Sequence, residues 1–221
     1  MADTGQVGIF GERADARPTD ATLLFGRVMF LVGVALVFFA AGAYIGRDLA
    51  YGTGLVFEIV AIVMLFAQSF VRPLRVGTFA VAWLYALALL LGIGLGPVLN
   101  YYASTDPTVV YQAAAGTALT VVGMGAFGMA TSHDLVRWAR TLSWGFLAVI
   151  VVAWVLVLVG AAGNVLISIA IYLFAAAFLA INFQYLRRSA QSDDVVWIAT
   201  GIFVNIINIF LALLNIFGNS R

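Results

Sequence analysis

Few residues in this chain carry side chains able to do chemistry, and they sit where such side chains are rare. Glu58 interrupts the apolar run TGLVFEIVAIVMLFAQSFV, and Asn205, Asn208 and Asn215 interrupt VVWIATGIFVNIINIFLALLNIFG. An ionised carboxylate in hydrocarbon is costly unless paired or hydrated. Glu58 therefore reads either as an ion or proton site or as a carboxyl bonded to a neighbouring helix. The three asparagines, at spacings of three and seven, share one narrow helical stripe with Gly201 and Ala212. A stripe of amides and small residues turned toward lipid would waste its hydrogen bonds, so it should face the interior of a bundle. Asn182 and Gln184, in FLAINFQYLRR, could meet Asn205 and Asn208 if the two segments pack antiparallel. Such amides either join helices or offer carbonyl oxygens to a cation.

Ser132, His133 and Asp134 open the connection TSHDLVRWAR, where Ser132 or Asp134 could cap a short helix. A single histidine at such a place is more simply a solvated side chain than a pH sensor. The chain has no cysteine and one histidine, which excludes disulfides, thiolate metal sites and His-rich metal clusters. All eleven basic residues are arginine, so Schiff-base chemistry on lysine is excluded too. No nucleophile stands beside a base, no metal-ligand spacing occurs, and the glycines at 92–96 are too buried in apolar sequence for a nucleotide loop. Neither catalysis, a cofactor nor a nucleic-acid partner is expected.

The elements that must position these residues are membrane helices. Of 221 residues, 64% are hydrophobic and 10% charged, and the mean hydropathy is +1.07. That balance belongs to an all-α, polytopic membrane protein whose first partner is the lipid bilayer. Spans are expected at about 24–45, 53–71, 77–95, 109–129, 142–159, 165–185 and 195–217, giving one transmembrane domain over 23–218. Residues 1–22 are polar, lack the order of a cleaved signal and read as a flexible cytoplasmic tail. GIGLGP predicts a stop or kink of the third span at Pro97, followed by a loop at 100–107. The fourth span, rich in small residues, reads as a buried central helix, and GAAGN at 160–164 as the turn between spans five and six.

Arginine falls mainly in alternate connections: Arg13, Arg17, Arg72, Arg75, Arg137, Arg140, Arg187 and Arg188 on one side, against Arg47 and Arg221 on the other. The positive-inside rule then predicts a cytoplasmic amino terminus and an outside carboxyl terminus. No internal repeat or pair of broken helices in corresponding halves appears, which argues against a small-solute transporter.

Three places together give a resemblance. The closing helix GIFVNIINIFLALLNIFG is similar to the pattern YLDxxNLFLxLLxxxG, ATSHDL stands at a TxKKDL-like step after the fourth span, and Glu58 precedes the basic end RPLR at 72–75. On these the chain resembles the Bax inhibitor-1 family, the bacterial YccA/YetJ-like and eukaryotic TMBIM membrane proteins, over residues 24–218. The resemblance implies a seven-helix bundle in a bacterial inner membrane, and a cation leak, for calcium in some members. It also implies that Asn182 and Asn205 stand where calcium-leaking members carry a proton-sensitive aspartate pair. Two amides neither attract a divalent cation by charge nor share a proton, so weaker calcium affinity and a lost or displaced pH response follow.

In that reading Glu58 is the remaining acidic ligand or proton site, in a pocket between spans two, six and seven. Asn182, Asn205 and Asn208 are neutral coordinating or latching residues, and Arg72 or Arg75 is the counter-charge. The resemblance also implies an alternative, a non-conducting regulator or substrate of a membrane-anchored AAA protease of the FtsH kind, with residues 1–22 as the segment engaged.

Overall fold

A computed structural model of the chain describes residues 18–158, 164–188 and 190–219. Most of the tail expected at 1–22, and the turn at 160–164 except Asn164, lie outside them. Seven helices among the described residues are long and apolar enough to cross a membrane. These are α1 (Pro18–Gly46), α2 (Tyr51–Phe70), α3 (Thr78–Thr105), α4 (Pro107–Ala130), α5 (Ala139–Leu158), α6 (Val165–Arg188) and α7 (Val195–Asn219). Short 3₁₀ turns at Arg72–Leu74, Val136–Trp138 and Ser192–Asp194 precede α3, α5 and α7.

Local chemistry sets the helix starts. Asp106 accepts a hydrogen bond from the Thr108 amide at 3.0 Å, with Pro107 as the first helical residue of α4. Asn164 accepts from the amides of Leu166 (2.9 Å) and Ile167 (3.3 Å) at the start of α6. Before α7, Asp194 accepts from the Gln191 amide at 3.0 Å and from the Tyr185 hydroxyl at 3.1 Å. Gly77, with φ of +84°, makes the turn into α3 in a conformation that glycine alone adopts freely.

The third span corrects the expectation at Pro97. Helix α3 runs unbroken through the proline to Thr105, and only Asp106 separates it from α4. Proline removes the N–H that would bond the Ile93 carbonyl. The Cα of Gly46 on α1 faces that carbonyl, so closely that a Cβ there would collide with it. A Cα–H···O contact thus takes the freed acceptor. The same close approach repeats along the pair: Gly42 faces the Leu89 carbonyl, Gly92 the Phe39 carbonyl, and Gly96 the Ala43 carbonyl. Two small-xxx-small pairs, Gly42/Gly46 and Gly92/Gly96, therefore zip α1 and α3 backbone to backbone. Gly94, between them, points the other way and receives α2 at Gly54 and Glu58.

Helix α7 is the most enclosed. It packs against α1, α3, α4 and α6, and Ile198, Ile202, Phe203, Ile209 and Leu214 are at most 1% exposed. The fourth span is not the buried centre that its small residues suggest. Its Ala113, Thr117, Gly125 and Gly128 are buried, whereas Tyr111, Leu119, Val122 and Phe127 project outward. Small residues on α4 line one contact face: Gly128 meets the Ala180 carbonyl and Gly125 the Phe183 ring on α6. Helix α5 lies outermost, packed on α6 through Gly145 over Phe174 and through Phe146 against Phe174 and Phe178.

Candidate functional site

The amide stripe of α7 faces α6, and the two helices pack antiparallel in a constant register. Asn182 lies over the Cα of Gly201, where a Cβ would stand 3.2 Å from its Nδ2. Fourteen residues further along each helix, the Ser168 hydroxyl donates to Asn215 Oδ1 at 3.0 Å. Asn205 is 6% exposed, and Asn208 is half-buried. Because Asn182 is level with Gly201, Asn205 stands one turn, ~6 Å, further along α7. Among the described residues no hydrogen bond joins Asn182 to Asn205 or Asn208. The seam is thus a ladder of neutral amides with its carbonyl oxygens uncommitted at Asn182, Asn205 and Asn208. Those are the hard oxygen donors that a cation such as calcium accepts, without the charge that gives tight binding.

At the arginine-bearing end, the seam abuts a knot of buried polar contacts that sequence reasoning missed. Gln68, wholly buried near the end of α2, donates from Nε2 to the Leu74 carbonyl at 3.1 Å and to Thr200 Oγ1 at 3.2 Å. Thr200 spends its own proton on the Val196 carbonyl at 2.8 Å, which fixes it as the acceptor and so orients the amide. Gln68 Oε1 is left buried without a partner. Arg75 Nε donates to the Gln68 carbonyl at 2.7 Å, and its guanidinium lies 4.7 Å from the centroid of the Trp197 ring on α7. Arg72 is exposed. A glutamine three residues before the end of an apolar run, followed by RPLR, was the available signal.

Gln184 turns away from the seam. It accepts from the Leu135 amide at 2.7 Å and donates to the His133 carbonyl at 2.6 Å, so both ends of a fully buried amide grip the α4–α5 connection. Arg187 and Arg188 donate to the Thr131 carbonyl at 2.8 and 3.0 Å, and Arg188 also to the Ser132 carbonyl at 2.9 Å. The 3₁₀ turn before α5 starts from Leu135 with no side-chain cap, so neither Ser132 nor Asp134 serves as one. His133 and Asp134 are exposed.

Glu58 is not brought to the amides. Its Cγ packs on the Cα of Gly94 in α3, beside Gly54 and Pro97, and no hydrogen bond or ion pair reaches it among the described residues. Helix α2 packs on α3 and reaches α7 through the Gln68–Thr200 bond. Ten residues separate Glu58 from Gln68, ~15 Å along the helix, so spans two, six and seven do not close one pocket around Glu58. Among the described residues no three His, Cys, Asp or Glu side chains gather as a metal site.

At the opposite end Arg47 pairs with Asp48 at 3.1 Å in solvent. The hydrogen bond that Arg47 donates to the Asp48 carboxylate raises the arginine pKa further. An exposed pair of this kind adds little to stability. Asn100 Nδ2 donates to the Arg47 carbonyl at 3.2 Å, tying the α1–α2 turn to α3. A cleft of about 380 Å³ opens at the same end, lined by Tyr101, Tyr102, Asp106 and Gly218 among others.

A family model described as "Inhibitor of apoptosis-promoting Bax1" matches residues 22–221. An uncharacterized membrane protein of Vibrio cholerae serotype O1 is 27% identical over 208 residues, covering 91% of this chain and 92% of its own. An uncharacterized protein of Pseudomonas aeruginosa is 25% identical over 192 residues, covering 85% of each chain. With seven membrane-spanning helices and a family match over nearly the whole chain, this is a multi-pass membrane protein that belongs to the Bax inhibitor-1 family.

Proposed function

We propose that the protein is a cation leak of the bacterial inner membrane, with the amide seam between α6 and α7 as its ion route and no catalytic activity. The observation that carries this reading is the pairing of buried Asn205 with Asn182 one turn away, and no hydrogen bond between them. Among the described residues the amide oxygens of Asn182, Asn205 and Asn208 accept no hydrogen bond from a neighbouring residue, which leaves them available to another donor or to a cation. A passing cation such as calcium would do so by ion–dipole contact. Neutral donors hold it weakly and do not titrate, so conduction through the seam should lack the pH response that the resemblance attaches to an aspartate pair.

The knot of Gln68, Thr200, Arg75 and Trp197 would be the barrier at the arginine-bearing end, with Arg75 as the counter-charge and Arg72 solvated beside it. The positive-inside rule would make that end cytoplasmic and put the carboxyl terminus outside. Glu58 would act separately from the seam, as a proton-binding carboxyl at the α2–α3 contact. The experiment is calcium flux into proteoliposomes from about pH 8 to pH 6, comparing the native chain with Asn182→Asp/Asn205→Asp. The expected result is a weak, pH-independent leak in the native chain and a pH-dependent one in the variant. Silence of both, with folding intact, would refute the leak.

The same neutral seam also favours a second reading, a non-conducting regulator or substrate of a membrane-anchored AAA protease of the FtsH kind. Co-purification from native membranes, lost on deleting residues 1–22, would support it. Retention of the complex after that deletion would remove the tail from the account.

A further inference from the structure

We infer that the cleft between the α3–α4 corner and the end of α7 is a binding site for a small organic ammonium ion. Three helix ends build it. Helix α3 stops at Thr105 and Pro107 starts α4, so the tight corner carries Tyr101, Tyr102 and Asp106 into one wall of the cleft. Helix α7 closes the other side with Gly218 and Asn219. The Tyr102 ring lies on the Cα of Gly218, so closely that a Cβ there would collide with it. That contact pins the end of α7 to the corner.

The lining favours positive charge. Tyr101 and Tyr102 stand with ring centroids 5.5 Å apart and planes at 78°, as two walls meeting at a corner. Tyr101 is 63% exposed, which opens its ring to a ligand. Ring faces carry the negative side of the aromatic quadrupole, and an alkylammonium group is held against them. Asp106 adds a carboxylate, fixed in place by the Thr108 amide on Oδ1 at 3.0 Å. The main chain adds to the same sign. Helices α3 and α7 both end here at their negative poles, whereas the positive pole of α4 is capped by Asp106. Arg47, the arginine of this end among the described residues, pairs with Asp48 at 3.1 Å, lies over the Tyr44 ring at 4.2 Å and takes no part in the lining.

Size and donor set choose between cations. The cleft holds about 380 Å³, in the range of about 300–1,000 Å³ usual for small-molecule sites. Calcium takes about six to eight oxygen ligands, and among the described residues no three acidic or imidazole side chains gather to supply them. One carboxylate beside two ring faces instead matches a weakly hydrated, methylated ammonium. The inference does not rest on the leak, and binding is read without flux.

Calorimetric titration of the purified full chain with choline, and with the alcohol that carries tert-butyl in place of trimethylammonium, tests the site. Choline should bind at about tenfold lower concentration than its uncharged isostere. Asp106→Asn keeps a residue that caps α4 well, and should weaken choline about tenfold while leaving the isostere unchanged. Tyr101→Leu should weaken choline at least about threefold, whereas Tyr111→Leu, 75% exposed on α4 and outside the cleft, should not. Repeating the titration in nanodiscs identifies the source of the ammonium. Equal affinity in phosphatidylglycerol and phosphatidylcholine nanodiscs supports a free solute, and loss in phosphatidylcholine supports the same group on a lipid headgroup. The inference is overturned if choline binds no tighter than the isostere, or if Asp106→Asn and Tyr101→Leu behave like Tyr111→Leu. It is overturned equally if calcium displaces choline at lower concentration than choline itself binds, or if choline binds only after Arg221→Gln, which would give the cleft to the chain's own guanidinium.

Discussion

Asn182 lies over Gly201, a full turn short of Asn205, so the two amides that mark the seam are neighbours along it and not a bonded pair. A small shift of α6 along α7 would bring them together. The register is held against such a shift at the far end by the Ser168–Asn215 bond. Ser168→Ala should therefore remove about 1 kcal/mol of stability. If the seam is the ion route, it should also alter leak rate without changing ion selectivity, as read by flux and thermal unfolding of the same preparation.

The α1–α3 zipper sets a sharp contrast among glycines. Gly92→Ala places a methyl against the Phe39 carbonyl and should cost ~1–3 kcal/mol by forcing two backbones apart. Gly26 and Gly33, also in α1, have nothing within 4 Å of an added Cβ, so alanine there should be neutral or stabilising by up to ~1 kcal/mol. Thermal unfolding in one detergent ranks the three variants.

Gln68 holds the Leu74 carbonyl and Thr200 from a fully buried position. Gln68→Ala strands both partners and should cost ~1–3 kcal/mol. Gln68→Leu fills the volume and should cost less, yet if the knot is the barrier it should raise the basal leak as much as alanine does. Equal leak in native and leucine forms would remove the knot from the ion route.

Gln184→Ala should free the α4–α5 connection without unfolding the bundle. Hydrogen exchange at the Leu135 amide, which donates to Gln184 Oε1 at 2.7 Å, should accelerate at least about tenfold. Amides in the middle of α7 should stay protected.

The seven-helix plan was legible because hydrocarbon thickness demands long apolar runs, and the arginine pattern separated them. The centrality of α7 was legible too, from asparagines whose hydrogen bonds lipid cannot serve. What stayed hidden depends on neighbours. Pro97 reads as a helix end until Gly46 is seen at the Ile93 carbonyl, although Gly42/Gly46 and Gly92/Gly96 carry the spacing of a close crossing. Small residues made α4 look central, but a helix that is apolar all round does not say which face meets protein and which meets lipid. For the same reason Glu58 could be placed in depth but not in direction, and it lies on α3 instead of the amide seam. The offset between Asn182 and Asn205 is a matter of register between two helices, which no pattern along either one encodes.

The natural chain has no cysteine, so a single introduced thiol reports on one place. Asn205→Cys in proteoliposomes, treated with a small water-soluble cationic methanethiosulfonate, tests the central claim that the α6–α7 seam is the ion route. The expected result is modification that abolishes calcium flux, while Leu119→Cys, on the outward face of α4, conducts as before under the same treatment. Full modification of Asn205→Cys with flux unchanged would contradict the account, as would a folded, conducting Asn205→Cys variant that the reagent never reaches.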